Sequence, residues 1–191
     1  MTCLTYEEHR LITLVNAFRV EQGVPALRPS EVLTRAARAY ADFIAVNDYW
    51  PDNPHTGPDG STPTSRAQAL GYSGVVGENL LWGQLNADRC SVAWRNSPPH
   101  RENMLSPRYT EIGVALAVEP TWDYANDVYL VAAMSLGIGQ SEPVELCQPS
   151  TVAAEPRPQP PPAPAPMPVK PRPDRRQRRR LQRLMRRIFG R

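Results

Sequence analysis

The order in which apolar periodicities occur along this chain constrains its fold more than any other feature: helical spacing comes first and strand-length runs come last. In "EEHRLITLVNAFRVEQG", Leu11, Leu14, Val15 and Phe18 recur at helical spacing up to Gly23, which predicts an amphipathic helix. Ser30 then stands as an N-cap before "EVLTRAARAYADFIAVND", where Leu33, Ala36, Ala37, Tyr40 and Ile44 define a second helix. Residues 47–63, dense in Asn, Asp, Pro and Gly, read as a loop, and "TSRAQALGY" as a short helix stopped by Gly71. "ADRCSVAWRN" reads as a further helix. "SPPHRENML" follows it, with Ser97 at the N-cap and Pro98 at the first helical position. Two runs, "EIGVALAV" and "DVYLVAAMSLG", read as strands, and the segment between them contains Pro120 and Asn126, which fits an antiparallel pair. Helices followed by strands give an α+β fold, not an alternating parallel one.

The patterning that can bury a core stops near residue 151. Residues 1–150 carry 10 Arg, no Lys and 17 Asp plus Glu, a net −7, whereas residues 151–191 carry 12 Lys plus Arg and 2 acids, a net +10. The overall charge of +3 therefore describes neither part. The expected organisation is one domain over 1–150, a Pro-rich linker over 151–174 and a basic amphipathic tail over 175–191. The linker composition predicts an extended, disordered spacer. In the tail, Leu181, Leu184, Met185 and Ile188 fall at i, i+3, i+4 and i+7 between arginines. That stripe gives two readings for residues 175–191: a solvated extension, or reversible attachment to an anionic membrane surface. Phosphate binding needs no apolar face, so the stripe favours a membrane over nucleic acid.

No apolar run approaches the roughly 20 residues needed to cross a bilayer. The opening "MTCLTYEEHR" lacks the charged, apolar and small-residue regions of an export signal, which makes a cytoplasmic location one expectation. Cys3 and Cys147 bracket the acidic body, with Cys90 between them. One bridge plus a free thiol, or three reduced thiols, are both compatible with that count.

The stretch "WRNSPPHRENML" places His100 in the first turn of a predicted helix, where no core requires a histidine. It belongs to a succession: "LVNAFRVEQGVPAL", "AARAYADFIA", "HTGPDGSTPTSRAQALGY", "GENL", "WRNSPPHRENML" and "EIGVALAV". Six motifs in this order resemble the bacterial branch of the CAP superfamily, which holds cysteine-rich secretory proteins, antigen 5 and plant pathogenesis-related proteins. The resemblance covers roughly residues 6–139. It implies a three-layer α-β-α sandwich around a central antiparallel sheet, with a cleft of two histidines and two acids. His55 matches the first histidine, Glu78 the first acid and His100 the second histidine. The second acid, three residues after a tryptophan in many eukaryotic members, is replaced by Ser97 after Trp94.

Two imidazoles and one carboxylate are a sensible set for a divalent metal, zinc above all, with a fourth position for water. His55, Glu78 and His100 are thus both the expected metal ligands and the candidate catalytic residues of a metal-dependent hydrolase. Ser97 and Asn103 are supporting residues, Ser97 by capping the helix and Asn103 by bonding a neighbouring loop. Ser97 lies in no GxSxG elbow, so no nucleophilic role is assigned to it. The family is known for lipid and sterol binding, which makes a small apolar ligand a further expectation. Its bacterial members are mostly exported, which implies a secreted or envelope-associated protein. The function expected is a binding module. A hydrolase on the same cleft and a scaffold carried to a surface by the tail are the alternatives.

Overall fold

Thr5 opens the first helix by reciprocal capping. Its hydroxyl accepts from the Glu8 backbone N–H at 3.3 Å, and the Glu8 carboxylate accepts from the Thr5 N–H at 2.8 Å. The computed structural model describes residues 2–83, 86–118, 130–139 and 141–147. Its elements run β1 (Cys3–Leu4), α1 (Tyr6–Glu21), β2 (Arg28–Pro29), α2 (Glu31–Asn47), α3 (Pro63–Gln68) and β3 (Val76–Gly83). They continue with α4 (Ala87–Asn96), α5 (Pro98–Leu105), β4 (Glu111–Val118), β5 (Leu130–Gly137) and β6 (Glu145–Leu146). The expected 151–174 linker and 175–191 tail lie outside the described residues. Among the described residues no helix is long and apolar enough to cross a membrane.

The main sheet has the order β2–β4–β5–β3. Strands β4 and β5 pair antiparallel with Val114 opposite Met134, as do β3 and β5, while the two residues of β2 join β4 in parallel. Alternation along the strands then supplies two cores. Ile112, Val114, Ala132, Met134 and Leu136 pack with Leu11, Val15 and Phe18 of α1, Trp94 of α4 and Met104 of α5. Ala115, Ala117, Val131 and Ala133 face the other way, against Tyr40, Ala41 and Ile44 of α2. The result is the expected α-β-α sandwich. Small residues on the α2 side let that helix sit close: a Cβ on Gly113 would lie 2.2 Å from the Leu33 and Thr34 backbones.

Strand β3 has no counterpart among the sequence expectations. Its alternation is broken by Gly77, Glu78 and Asn79, and the latter two are 6% and 0% exposed. Those buried polar groups belong to the site described below. Apart from the main sheet, β1 pairs in parallel with β6 and a Cys3–Cys147 disulfide closes the pair. Of the two cysteine readings, the bridge is the one present. Cys90 is free and buried, and burial pushes its thiol pKa up to about 12, so it is an inert core residue.

Candidate functional site at the edge strand

Strand β3 lies at an edge of the sheet, and residues from both sides of the sandwich meet there. Glu78 shares its face with Val76 and Leu80, toward α2 and α3, while Asn79 points to the α5 side. The Glu78 carboxylate is 2% exposed and both its oxygens are engaged: Oε1 lies 3.0 Å from His55 Nδ1, and Oε2 accepts from Arg66 Nη2 at 2.7 Å. Arg66, from α3, is 1% exposed. Its remaining amine, Nη1, donates to the carbonyls of His55 and Ser61, both at 3.1 Å, and its guanidinium carbon lies 3.5 Å above the Tyr40 ring.

His55 is therefore held from several directions although its loop is irregular. The Tyr40 hydroxyl donates to the Pro54 carbonyl at 2.5 Å, Arg66 to that of His55, and the Tyr49 hydroxyl to that of Thr56 at 3.0 Å. Three successive carbonyls are each fixed by a long side chain, from α2, from α3 and from Tyr49 just beyond the end of α2. The turn beyond them closes with Gly60 N–H donating to the Gly57 carbonyl, and its φ of +84° suits only glycine.

His100 arrives from the other side, in the first turn of α5. Its carbonyl accepts from Asn79 Nδ2 at 2.9 Å. Asn103, one turn on, donates to Asn79 Oδ1 at 3.0 Å and to the Glu78 carbonyl at 3.4 Å. Asn103 thus bonds the edge strand, not a loop. The expected capping role of Ser97 is corrected: Ser97 occupies the N-cap position, yet its hydroxyl makes no cap bond. It lies 2.8 Å from His100 Nδ1 instead. Pro99 at the second helical position has no N–H to offer, so the His100 N–H is the one cap donor left, and the ring of the same residue is within reach of the hydroxyl instead.

The two histidines are close enough to sense each other. Burial lowers the His100 pKa below its usual 6.5, and the charge of His55 lowers it further. His100 is consequently a neutral imidazole at pH 7. Each ring has its Nδ1 in a side-chain hydrogen bond, His55 with Glu78 and His100 with Ser97. Among the described residues no three His, Cys, Asp or Glu side chains are arranged to hold a metal ion. The arrangement is two imidazoles, with the carboxylate behind one of them.

Of the residues expected from sequence, His55, Glu78, His100, Ser97 and Asn103 all meet at this edge. His9 lies exposed on α1, away from it. Trp94 is fully buried in the α1-side core, and Trp82 stacks edge-on against Trp50 at 5.3 Å. Arg66, Asn79, Tyr40 and Tyr49 were not legible as site residues. The one available signal was Arg66, a charge standing beside Ala67 in an otherwise small-residue helix.

A three-layer α-β-α sandwich with a histidine–glutamate–histidine edge defines the class of domain. The family model of the cysteine-rich secretory protein family matches residues 12–134, and the chain belongs to that family. YkwD of Bacillus subtilis (strain 168) is 34% identical over 108 residues, 56% of this chain but only 41% of its own length. Two solved structures share the fold. An outer surface protein of Borrelia burgdorferi has a TM-score of 0.60 and 21% identity, covering 70% of this chain and 93% of its own. An extracellular protein containing an SCP domain from Bacillus anthracis str. Ames has a TM-score of 0.59 and 20% identity, covering 70% of this chain and 40% of its own.

Proposed function

We propose that this chain is an extracytoplasmic binding domain whose edge site takes a divalent metal ion, zinc by the character of its donors. The observation that carries the reading is the matched pair of Nδ1 contacts, Glu78 on His55 and Ser97 on His100. Both rings are thereby oriented with Nε2 left for a ligand, the usual device by which outer groups fix metal-binding histidines. The pair of imidazoles would supply two of the protein donors that zinc takes, one fewer than the three usual in a catalytic site. His55 and His100 would be the ligands, with Glu78 standing behind His55 because Arg66 already holds its second oxygen, and water or a bound molecule would have to complete the coordination. When bound, such an ion supplies a Lewis acid for a water or a carbonyl.

The groups that converge are polar, which favours a metal over a small apolar ligand at this edge. Binding is favoured over hydrolysis because Glu78 is the single carboxylate among the described residues of the site, and both its oxygens are engaged. Placement outside the cytoplasm is supported by the Cys3–Cys147 disulfide, since such bridges persist in oxidising compartments. Two relatives that share the fold are described as outer-surface and extracellular. The proposed role of residues 175–191 is to hold the domain at an anionic membrane surface.

Calorimetric titration of zinc into the full chain and into a His55→Ala/His100→Ala variant tests the reading. Binding by the parent chain that is absent in the variant supports it. Equal binding in both removes it.

A further inference from the structure

We infer that Arg66 is the positioning residue of the edge site, holding His55 in one place and in one tautomer. The inference rests on the reading above that His55 binds a ligand. Arg66 acts on His55 along two routes at once. Through Nη2 it holds Glu78 Oε2 at 2.7 Å, which turns the other oxygen, Oε1, to His55 Nδ1 at 3.0 Å. Through Nη1 it holds the carbonyl of His55 itself at 3.1 Å. One guanidinium thus fixes both the backbone and the ring partner of the same histidine.

The planar fork is what makes this possible, because one side chain must donate along diverging directions. A lysine keeps the charge and three N–H donors but has a single nitrogen, which cannot stand both where Nη2 meets Glu78 and where Nη1 meets the His55 and Ser61 carbonyls. The Tyr40 ring beneath the guanidinium and the Tyr40 hydroxyl on Pro54 complete the clamp on the loop. A carboxylate facing Nδ1 requires the proton there when the ring is neutral, so Nε2 presents its lone pair. A histidine without such a partner has no reason to keep its proton on Nδ1. The tautomer therefore reports the positioning directly.

The chain contains three histidines, which makes their ring nitrogens separable by long-range 15N–1H correlation on the full-length protein. At a pH where the rings are neutral, the expected result is a His55 proton on Nδ1 in the parent chain. In Arg66→Lys that proton is shared between the two nitrogens, as it is in Glu78→Gln, while His100 keeps its parent spectrum. Zinc affinity falls about tenfold in Arg66→Lys, the usual size of an outer-group effect.

A neutral His55 carrying its proton on Nε2 in the parent chain would overturn the proposal before any variant is made. So would a parent-like tautomer and parent-like zinc affinity in Arg66→Lys beside a changed tautomer in Glu78→Gln. In that case Glu78 alone positions the ring and Arg66 is packing. A parent chain that binds no zinc but shows the locked tautomer, released by Arg66→Lys, retains the positioning role and removes only the metal reading.

Discussion

Ser97 Oγ lies 2.8 Å from His100 Nδ1, and this contact takes the hydroxyl that would otherwise cap α5. Ser30 is its counterpart at the start of α2, where the hydroxyl accepts from the Leu33 N–H at 3.2 Å. The two serines should therefore respond differently to truncation. Ser30→Ala loses a true cap and should cost about 1–2 kcal/mol in urea unfolding. Ser97→Ala should cost under about 1 kcal/mol, the scale of one partly exposed hydrogen bond. It should nevertheless weaken zinc binding about tenfold by freeing the His100 ring.

The lowered pKa of His100 has a definite consequence for stability. The unfolded chain takes up a proton on this residue near its ordinary pKa of 6.5, before the folded chain does. Stability from the neutral, partly buried ring is thus complete above pH 6.5 and is lost as pH falls through the folded-state value. Melting temperatures of the parent and a His100→Gln variant should run parallel above pH 7 and converge or cross below 6. Parallel curves across the whole range would refute the assignment of that pH dependence to His100.

Gly113 should tolerate no side chain. A methyl there would meet the Leu33 carbonyl carbon and the Thr34 nitrogen at 2.2 Å, and these backbone atoms belong to the first turn of α2. Gly113→Ala must push the helix off the sheet and should cost about 3 kcal/mol or more, at the upper end of overpacking effects. Its signature should be a lowered urea midpoint, with changes in near-ultraviolet dichroism from Tyr40 and Tyr49. An unchanged midpoint would show that the helix moves freely.

The disulfide spans 144 residues and joins the two ends of the domain. Chain-entropy reasoning assigns a closure of that length about 4–5 kcal/mol, and strain or residual structure in the unfolded chain reduces it. A Cys3→Ser/Cys147→Ser variant should unfold at lower denaturant by about 3 kcal/mol or more and still bind zinc, because the edge site lies on β3, α5 and the His55 loop. Loss of zinc binding in a variant that remains folded would contradict that separation.

How much of this was legible in the sequence depended on whether the deciding interaction was local. Helix α2 begins where Ser30 announces it, and α5 where Pro98 does, since caps and first-turn prolines act within a few residues. The β4–β5 pair was readable from two continuous apolar runs. Strand β3 was not, because Glu78 and Asn79 break its alternation and are buried only by virtue of partners 12 to 25 residues away. Arg66 offered only its charge beside Ala67 as a signal, because its burial is decided by Glu78, His55 and Tyr40, none of them on its helix. Ser97 was placed correctly and misread in its bonding, since a serine at an N-cap looks identical whether it faces the backbone or a ring. The cysteine count alone left the bridge open, and only the meeting of β1 with β6 closed it.

The central claim is that His55 and His100 form one ligand site through their Nε2 nitrogens. Following the ring 15N signals of all three histidines while zinc is added to the full chain tests it most directly. The account predicts that the Nε2 signals of His55 and His100 move together and saturate at one equivalent, while His9 does not respond. Movement of His9 alone, of one site histidine without the other, or of none would contradict it.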